Sequence, residues 1–165
     1  MKDTQRDIEQ LQHLLDASYS NAGSHLKSIQ LEPLRLSAQE VVEHLDGACI
    51  CDLATVGIDA APYVAPVDIL FIKGKAWFCS GSASARFANI RRNARVSLAR
   101  TVGGELSILI HGVAREVDTS SGEHEFLHDL CIEVYGDSYD SWGIWGGPWA
   151  WIEPARMFAS KLPQG

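Results

Sequence analysis

Three apolar runs joined by tight turns constrain the fold of this chain more than any other feature. Ala48–Val56 is almost continuously apolar, and a turn at Gly57-Ile58-Asp59 separates it from the second run, Pro62–Ile72. Lys73-Gly74-Lys75 then leads into the third run, Ala76–Cys79. Such short links join antiparallel strands, because a parallel crossover needs a dozen or more residues. The pattern therefore predicts consecutive β-hairpins.

Helices and further strands flank these hairpins. Apolar residues at helical spacing predict a first helix from about Thr4 to Ser20, which would pack on the body of the domain or on a partner subunit. Ser37 and Glu40 form a capping-box pattern that begins a second helix, and Gly47 ends it. The later elements are predicted as a helix at Ser84–Arg92, strands at Arg95–Thr101 and Glu105–Val117, a helix at Gly122–Tyr135 and a strand at Trp149–Glu153. About six strands, mostly joined as hairpins, indicate an antiparallel α+β barrel.

The composition argues against several classes of protein. The 165 residues suit a single domain, and the formal net charge of −7 disfavours a nucleic-acid-binding surface over the whole protein. No apolar run approaches the roughly 20 residues that cross a bilayer. The polar start carries no secretory signal, so the expected location is the cytoplasm, with neither nucleic acid nor membrane as a partner. Cys49 and Cys51 are expected to be small core residues, because no second cysteine pair stands at zinc-site spacing.

A serine- and glycine-rich turn followed by a basic residue is the strongest candidate for a binding site. A strand ends at Cys79, the turn Ser80–Ser84 follows, and Arg86 lies in the first turn of the next helix. Free N–H groups at a helix N-terminus attract anions, and an arginine adds a charged, bidentate donor. The alternative is that Ser84 only caps the helix while the arginines lie on the surface.

At these residues the chain resembles the pyridoxamine 5'-phosphate oxidase-like, FMN-binding split-barrel family, from about Leu36 to Phe158. The central match is Phe78–Leu98, which carries Ser80, Ser84 and Arg86 followed by Asn89-Ile90-Arg91-Arg92-Asn93-Ala94-Arg95-Val96-Ser97-Leu98. The remaining matches are Leu53-Ala54-Thr55-Val56, Pro62-Tyr63-Val64-Ala65-Pro66-Val67, His111-Gly112-Val113-Ala114 and Ile152-Glu153-Pro154. The resemblance implies a six-stranded, Greek-key split barrel at 36–165, preceded by a helical extension at 1–35 within one domain.

The resemblance also implies a homodimer with FMN at the subunit interface. By position, Ser80, Ser84 and Arg86 would hold the phosphate. The other residues that it places at the cofactor are Ala85 and Asn89 near the phosphate, Pro66, Val67 and Asp68 beside the isoalloxazine ring, and Ser107 near the ring of the neighbouring site. Some relatives use the deazaflavin F420 or haem, so the barrel alone does not decide the cofactor.

The resemblance implies an FMN-dependent oxidoreductase acting on an unknown small molecule. The alternatives are an F420-dependent reductase and a non-catalytic flavin- or haem-binding protein. Pyridoxamine phosphate oxidases keep an arginine before the final hydrophobic-x-Pro element, where this chain has Trp151, so vitamin B6 oxidation is not expected. No side chain stands out as an acid or base, and a bound flavin would not require one.

Two further patterns bear on the site. His124-Glu125-Phe126-Leu127-His128 matches the zinc motif H-E-x-x-H, for which Glu133 or Glu153 would be a third ligand, but we interpret both histidines as surface residues. Four tryptophans cluster near the C-terminus and are expected at the subunit interface or in a pocket, at Trp142, Trp145, Trp149 and Trp151. Trp149 is taken as the cofactor contact, although the sequence does not decide which ring touches the cofactor.

Overall fold

The computed structural model describes residues 3–119, 122, 124–136, 139 and 147–161. The strands are β1 Ala48–Val56, β2 Pro62–Ile72, β3 Lys75–Cys79, β4 Arg95–Val102, β5 Leu106–Val117 and β6 Trp149–Lys161. The helices are α1 Gln5–Ser20, α2 Ser24–Ile29, α3 Ala38–His44, α4 Ala85–Arg92 and α5 Glu125–Tyr135, with a short 3-10 helix at Glu32–Leu34. No helix in these residues is long and apolar enough to cross a membrane.

The six strands close into an antiparallel barrel in the order β1-β2-β3-β6-β5-β4. Hairpins join β1 to β2, β2 to β3 and β4 to β5, as the short turns predicted. In the turn before β3, Lys73 and Gly74 both have positive φ, which suits a tight hairpin. The predicted α+β barrel is therefore confirmed, because a closed antiparallel sheet with helices outside it is what the pattern required.

Alternating side chains divide each strand between the barrel interior and its outer face. Val67 and Ile69 of β2 point inward and join the main core. Leu70 and Ile72 of the same strand belong to a second apolar cluster, together with Trp77, Leu127, Cys131, Tyr139 and Trp149. Since Leu127 and Cys131 lie on α5, this helix covers the outer face of β2, β3 and β6.

The first helix, α1, packs against an edge of β6 that has no strand partner. Strand β6 pairs with β5 along its length but with β3 only through residues 149–151, so the other edge of its second half lacks a strand partner. The Tyr19 hydroxyl donates to Ala159 O (2.7 Å) and accepts from Ala159 N (3.0 Å), and Met157 N donates to Ser18 Oγ (2.9 Å). Helix α1 thus satisfies the backbone groups of β6 within the body of the domain.

Strand β6 is longer than the predicted Trp149–Glu153. The strand continues through Pro154, although proline cannot donate to a β-ladder. The structure accommodates Pro154 opposite Gly112, where the β5–β6 register shifts between His111 and Gly112. A side chain at Gly112 would place its Cβ 2.1 Å from Glu153 O, so only glycine fits there. The short helix α2 was not predicted.

Removing the Tyr19 hydroxyl should destabilise the fold. Tyr19→Phe leaves the buried Ala159 N–H without its acceptor, and an unsatisfied buried donor costs about 1–3 kcal/mol. The free energy of unfolding, measured by urea denaturation, should fall by that amount. Tyr63→Phe is the matched control, because Tyr63 is 52% exposed, and it should change little. Equal losses in the two variants would contradict this role of α1.

Candidate functional site

A cavity of about 260 Å³ lies where α5 meets the outer face of β2 and β3. The strands contribute residues on both sides of the turn after β3, and α5 closes the opposite wall. The described residues that line it are Pro66, Val67, Asp68, Leu70, Trp77, Phe78, Cys79, Ser80, Gly81, Arg86, Cys131, Tyr135, Tyr139 and Trp149. The cavity therefore joins the serine-glycine turn of the sequence to a wall of aromatic rings.

Arg86 is the cation of this cavity. It is half-buried in the first turn of α4, and its Nη2 donates to Pro66 O at 2.7 Å. Burial lowers the pKa of its guanidinium, which nevertheless remains protonated. No carboxylate of the described residues forms an ion pair with it, whereas Arg91 is paired with Glu116 at 2.5 Å. Arg86 therefore offers an unneutralised charge and further donors to an anion.

The turn before α4 holds further donors beside Arg86. Ser84 caps the helix, since its side chain accepts from Phe87 N at 3.3 Å, and Ser84 N donates to Gly81 O at 3.0 Å. The first N–H groups of a helix have no intrahelical acceptor and carry the positive end of the helix dipole. With the Ser80 hydroxyl in the cavity wall, this end of the cavity can accept a phosphate or carboxylate.

Aromatic rings form the other end of the Arg86 cavity. Tyr135 and Tyr139 stack with ring centroids 5.7 Å apart and an interplanar angle of 16°. Trp77 and Trp149 are almost fully buried, and both contribute to the cavity wall from neighbouring strands. Flat rings in a cavity of this kind suit a planar, conjugated ligand.

Burial keeps the phenols and thiols of this wall protonated. It raises the pKa of Tyr135 and of Tyr139, and the negative charge of Asp68 raises that of Tyr135 further. Burial likewise raises the pKa of the Cys79 thiol to about 12. At neutral pH the wall therefore offers hydroxyl and thiol groups rather than phenolates or thiolates.

The structure brings some of the sequence-predicted site residues together and separates others. Pro66, Val67, Asp68, Ser80, Arg86 and Trp149 all line the cavity. Ser84 and Ala85 form the adjoining start of α4 without lining it. Asn89 is buried, and its side chain donates to Thr55 Oγ1 at 3.0 Å, which makes it a link between α4 and β1. Ser107 lies on β5 opposite Thr101 and Ser160, outside this lining.

Helix α5 supplies site residues that the sequence did not identify. Cys131 and Tyr135 stand four residues apart, so they share one face of α5, and Tyr139 follows it. The sequence shows this spacing, but no local sequence pattern shows that this face of α5 packs on β2 and β3. Two of the four predicted tryptophans, Trp142 and Trp145, lie outside the described residues.

The H-E-x-x-H pattern does not assemble a metal site in the described residues. His124 packs against Trp77 (5.8 Å between ring centroids), and His128 packs against Tyr139 (6.4 Å). Glu153, one suggested third ligand, is ion-paired with Arg115. Within the described ranges, no three His, Cys, Asp or Glu side chains are grouped as metal ligands.

A larger cavity, of about 530 Å³, lies beside α1 but is less suited to a specific anion. Its lining includes Asp16 and Glu32 as well as Lys27 and Arg35, so charges of both signs are present. Lys27 Nζ already donates to Ser20 O (2.8 Å), and Arg35 Nε donates to Gln30 O (3.2 Å). The Arg86 cavity is therefore the better candidate.

Comparison with known proteins identifies a family. The family model described as pyridoxamine 5'-phosphate oxidase matches residues 37–159, about three quarters of the chain. That span includes the barrel except the last two residues of β6, and all the described lining of the Arg86 cavity. No curated protein matches the chain.

Solved structures share the fold at low sequence identity. A conserved hypothetical protein, Rv2991 from Mycobacterium tuberculosis, superposes with a TM-score of 0.68 at 22% identity, covering 82% of this chain and 94% of its own. HutZ, the haem storage protein from Vibrio cholerae, gives 0.63 at 17% identity, covering 80% and 95%. A FAD-binding protein from Mesorhizobium loti gives 0.61 at 20% identity, covering 78% and 96%. At these identities the likeness shows the fold alone.

The thiols of the native protein should react slowly. Cys79 is the least buried of the four cysteines, and with a pKa of about 12 its thiolate fraction at pH 8 is roughly a thousandfold below that of an ordinary thiol. A thiol-reactive chromogenic disulfide at pH 8 should therefore modify the native protein at least about a hundredfold more slowly than the urea-unfolded protein. A native thiol that reacts as fast as the unfolded chain would contradict the protonated cavity wall.

Proposed function

Because this chain belongs to the pyridoxamine 5'-phosphate oxidase family, we propose that it is an FMN-binding oxidoreductase acting on a small molecule. The observation that carries the proposal is the half-buried guanidinium of Arg86, which pairs with no carboxylate of the described residues and lies beside an aromatic cavity. Membership of this family does not establish that the chain shares the family's substrate. The position where pyridoxamine phosphate oxidases keep an arginine is occupied here by Trp151. Lys75 Nζ lies over the Trp151 ring, 3.8 Å from its centroid.

The two ends of the cavity match the two ends of FMN. Arg86, the Ser80 hydroxyl and the first N–H groups of α4 provide charge and donors for the phosphate. The stacked tyrosines and buried tryptophans provide a dry, flat surface for the ring system. A bound flavin would supply the transfer of electron pairs, while these residues position it and exclude water.

The described lining favours a flavin over haem. Haem iron is held by a histidine, or by a cysteine or tyrosine in its deprotonated form. No histidine is among the described lining residues, and the raised pKa values of Cys79, Tyr135 and Tyr139 keep these side chains protonated. Haem remains an outcome of the first binding test, because HutZ has this fold and stores haem. F420 is the other outcome, since it also presents a flavin-like ring.

A second copy of the chain would add a further wall to the Arg86 cavity. The volume of this cavity, about 260 Å³, is below the roughly 300–1,000 Å³ of typical ligand pockets. On the outer face of β2, Val64 is 65% exposed, and its neighbours on that face are Pro62 and Pro66, with Ala54 opposite it on β1. Pro66 lines the cavity, so this apolar strip reaches the cavity rim. We propose that two such faces meet in a homodimer that encloses the cofactor.

Arg86→Ala should weaken FMN binding more than riboflavin binding. Riboflavin lacks the phosphate, so only FMN loses a charge-assisted contact, worth about 1.5–3 kcal/mol or about 10–150-fold in Kd. Fluorescence titration of the purified protein with both flavins measures the two constants. Arg95→Ala is the matched control, because Arg95 is exposed and lies outside the cavity lining.

If the ratio of FMN affinity to riboflavin affinity is the same in Arg86→Ala as in the unsubstituted protein, Arg86 does not bind the phosphate. Titration with F420 and haem tests the cofactor itself, with a Soret band indicating haem. Turnover with a reduced nicotinamide would distinguish an enzyme from a carrier, because a carrier binds the flavin without passing electrons to a substrate.

Val64→Asp should dissociate the proposed dimer. A carboxylate in the middle of an apolar interface would be buried without a partner, which strongly disfavours association. Light scattering coupled to size exclusion should report a monomer for Val64→Asp and a dimer for the unsubstituted chain. Ile58→Asp is the control, since Ile58 is 86% exposed in the turn between β1 and β2. A dimer that survives Val64→Asp would place the interface elsewhere.

A further inference from the structure

The Arg86 cavity has a second charged residue of opposite sign. Asp68 lies on the outer face of β2 and lines the cavity, and its carboxylate has no hydrogen bond or ion pair within the described residues. Glu116 on β5 and Glu153 on β6 are, by contrast, paired with Arg91 and Arg115. Asp68 is therefore a carboxylate at the cavity wall that no cation among the described residues neutralises.

The charge of Asp68 acts on the aromatic wall. It raises the pKa of Tyr135 and contributes to the raised pKa of Cys79. Because Asp68, Tyr135 and Cys79 also line the same cavity, the carboxylate lies close to the aromatic rings.

Strand geometry places Asp68 close to the anchoring point of Arg86. Arg86 donates to Pro66 O, and Asp68 is two residues further along the same face of β2, so the backbone positions of Pro66 and Asp68 are about 7 Å apart. A group that binds at Asp68 would therefore lie beside the ligand that Arg86 holds. That group has to satisfy a carboxylate.

We propose that Asp68 makes this cavity selective for a substrate that carries a positively charged organic nitrogen beside its ring or chain. The carboxylate supplies the ion pair, and the tyrosines and tryptophans of the wall add cation–π attraction, which is worth more in a partly desolvated site. This inference rests on the proposed function, because it assigns the substrate class of the same site.

A metal ion is a poorer occupant of this end of the cavity. Hard cations such as Ca²⁺ need six or more oxygen ligands and Mg²⁺ needs octahedral coordination, whereas Asp68 is the one carboxylate of the described lining. Thiols and phenols that stay protonated do not replace those ligands. A bulky, weakly hydrated organic cation suits one carboxylate among aromatic rings.

Two probes of the same shape isolate the charge. Benzyltrimethylammonium carries a quaternary nitrogen, and neopentylbenzene has a carbon in its place. Saturation-transfer NMR titrations on the full chain, with and without saturating FMN, would compare their affinities. We expect the cation to bind about five- to tenfold more tightly, and Asp68→Asn to abolish that preference. The preference should also shrink as the salt concentration rises.

Two variants control this test. Asp52→Asn removes an exposed carboxylate that faces Pro66 across the β1–β2 ladder and does not line the cavity, so the preference should remain. Asp68→Glu keeps the charge and should retain it. Equal affinities of the unsubstituted protein for both probes, or a preference that survives Asp68→Asn, would overturn the proposal.

FMN binding, read in the same samples, separates this inference from the proposed function. FMN binding without a preference for the cation rejects only the selectivity of Asp68. A preference that depends on Asp68 in a protein that binds no FMN rejects the flavin site and retains the cation site. In both outcomes the thermal unfolding temperature of Asp68→Asn should equal that of the unsubstituted protein, because Asp68 is exposed and belongs to neither core cluster.

Discussion

Helix α5 packs on the outer face of the barrel, and its contact with β2 ends partway along that strand. Leu70 and Ile72 lie under the helix in an apolar cluster, whereas Val64 is left exposed. The cavity lies at this boundary, where the wall of α5 faces Asp68. The covered region, the ligand cavity and the open apolar surface are therefore consecutive parts of one face, and all three follow from where a single helix packs.

The charges of the molecule follow a similar division. Some charged side chains of the surface form ion pairs, as Arg91 does with Glu116 and Lys161 with Glu40. At the cavity, Arg86 and Asp68 are each without an ion-pair partner among the described residues. Arg86 is half-buried and Asp68 is exposed, and both line the same cavity. Charges of both signs at the wall of one cavity suit a ligand that carries charged groups.

Local patterns predicted most of the fold and about half of the cavity. The hairpins followed from apolar runs with short links, and the start of α4 followed from Ser84, whose side chain caps it. The role of Asn89 was not predictable, since its partner Thr55 is 34 residues away. Nor was the length of β6, because Pro154 is tolerated only through the register shift at Gly112.

The sequence by itself determined the elements and their caps, because those depend on residues within a few positions of each other. Two capping boxes, at Thr4 with Asp7 and at Ser37 with Glu40, begin α1 and α3 as local chemistry requires. Only the tertiary structure decided that Arg86 would meet Pro66 O and that Tyr135 would share a cavity with Asp68. Those contacts join residues 20 and more positions apart, and they depend on how whole elements pack, which no local pattern encodes.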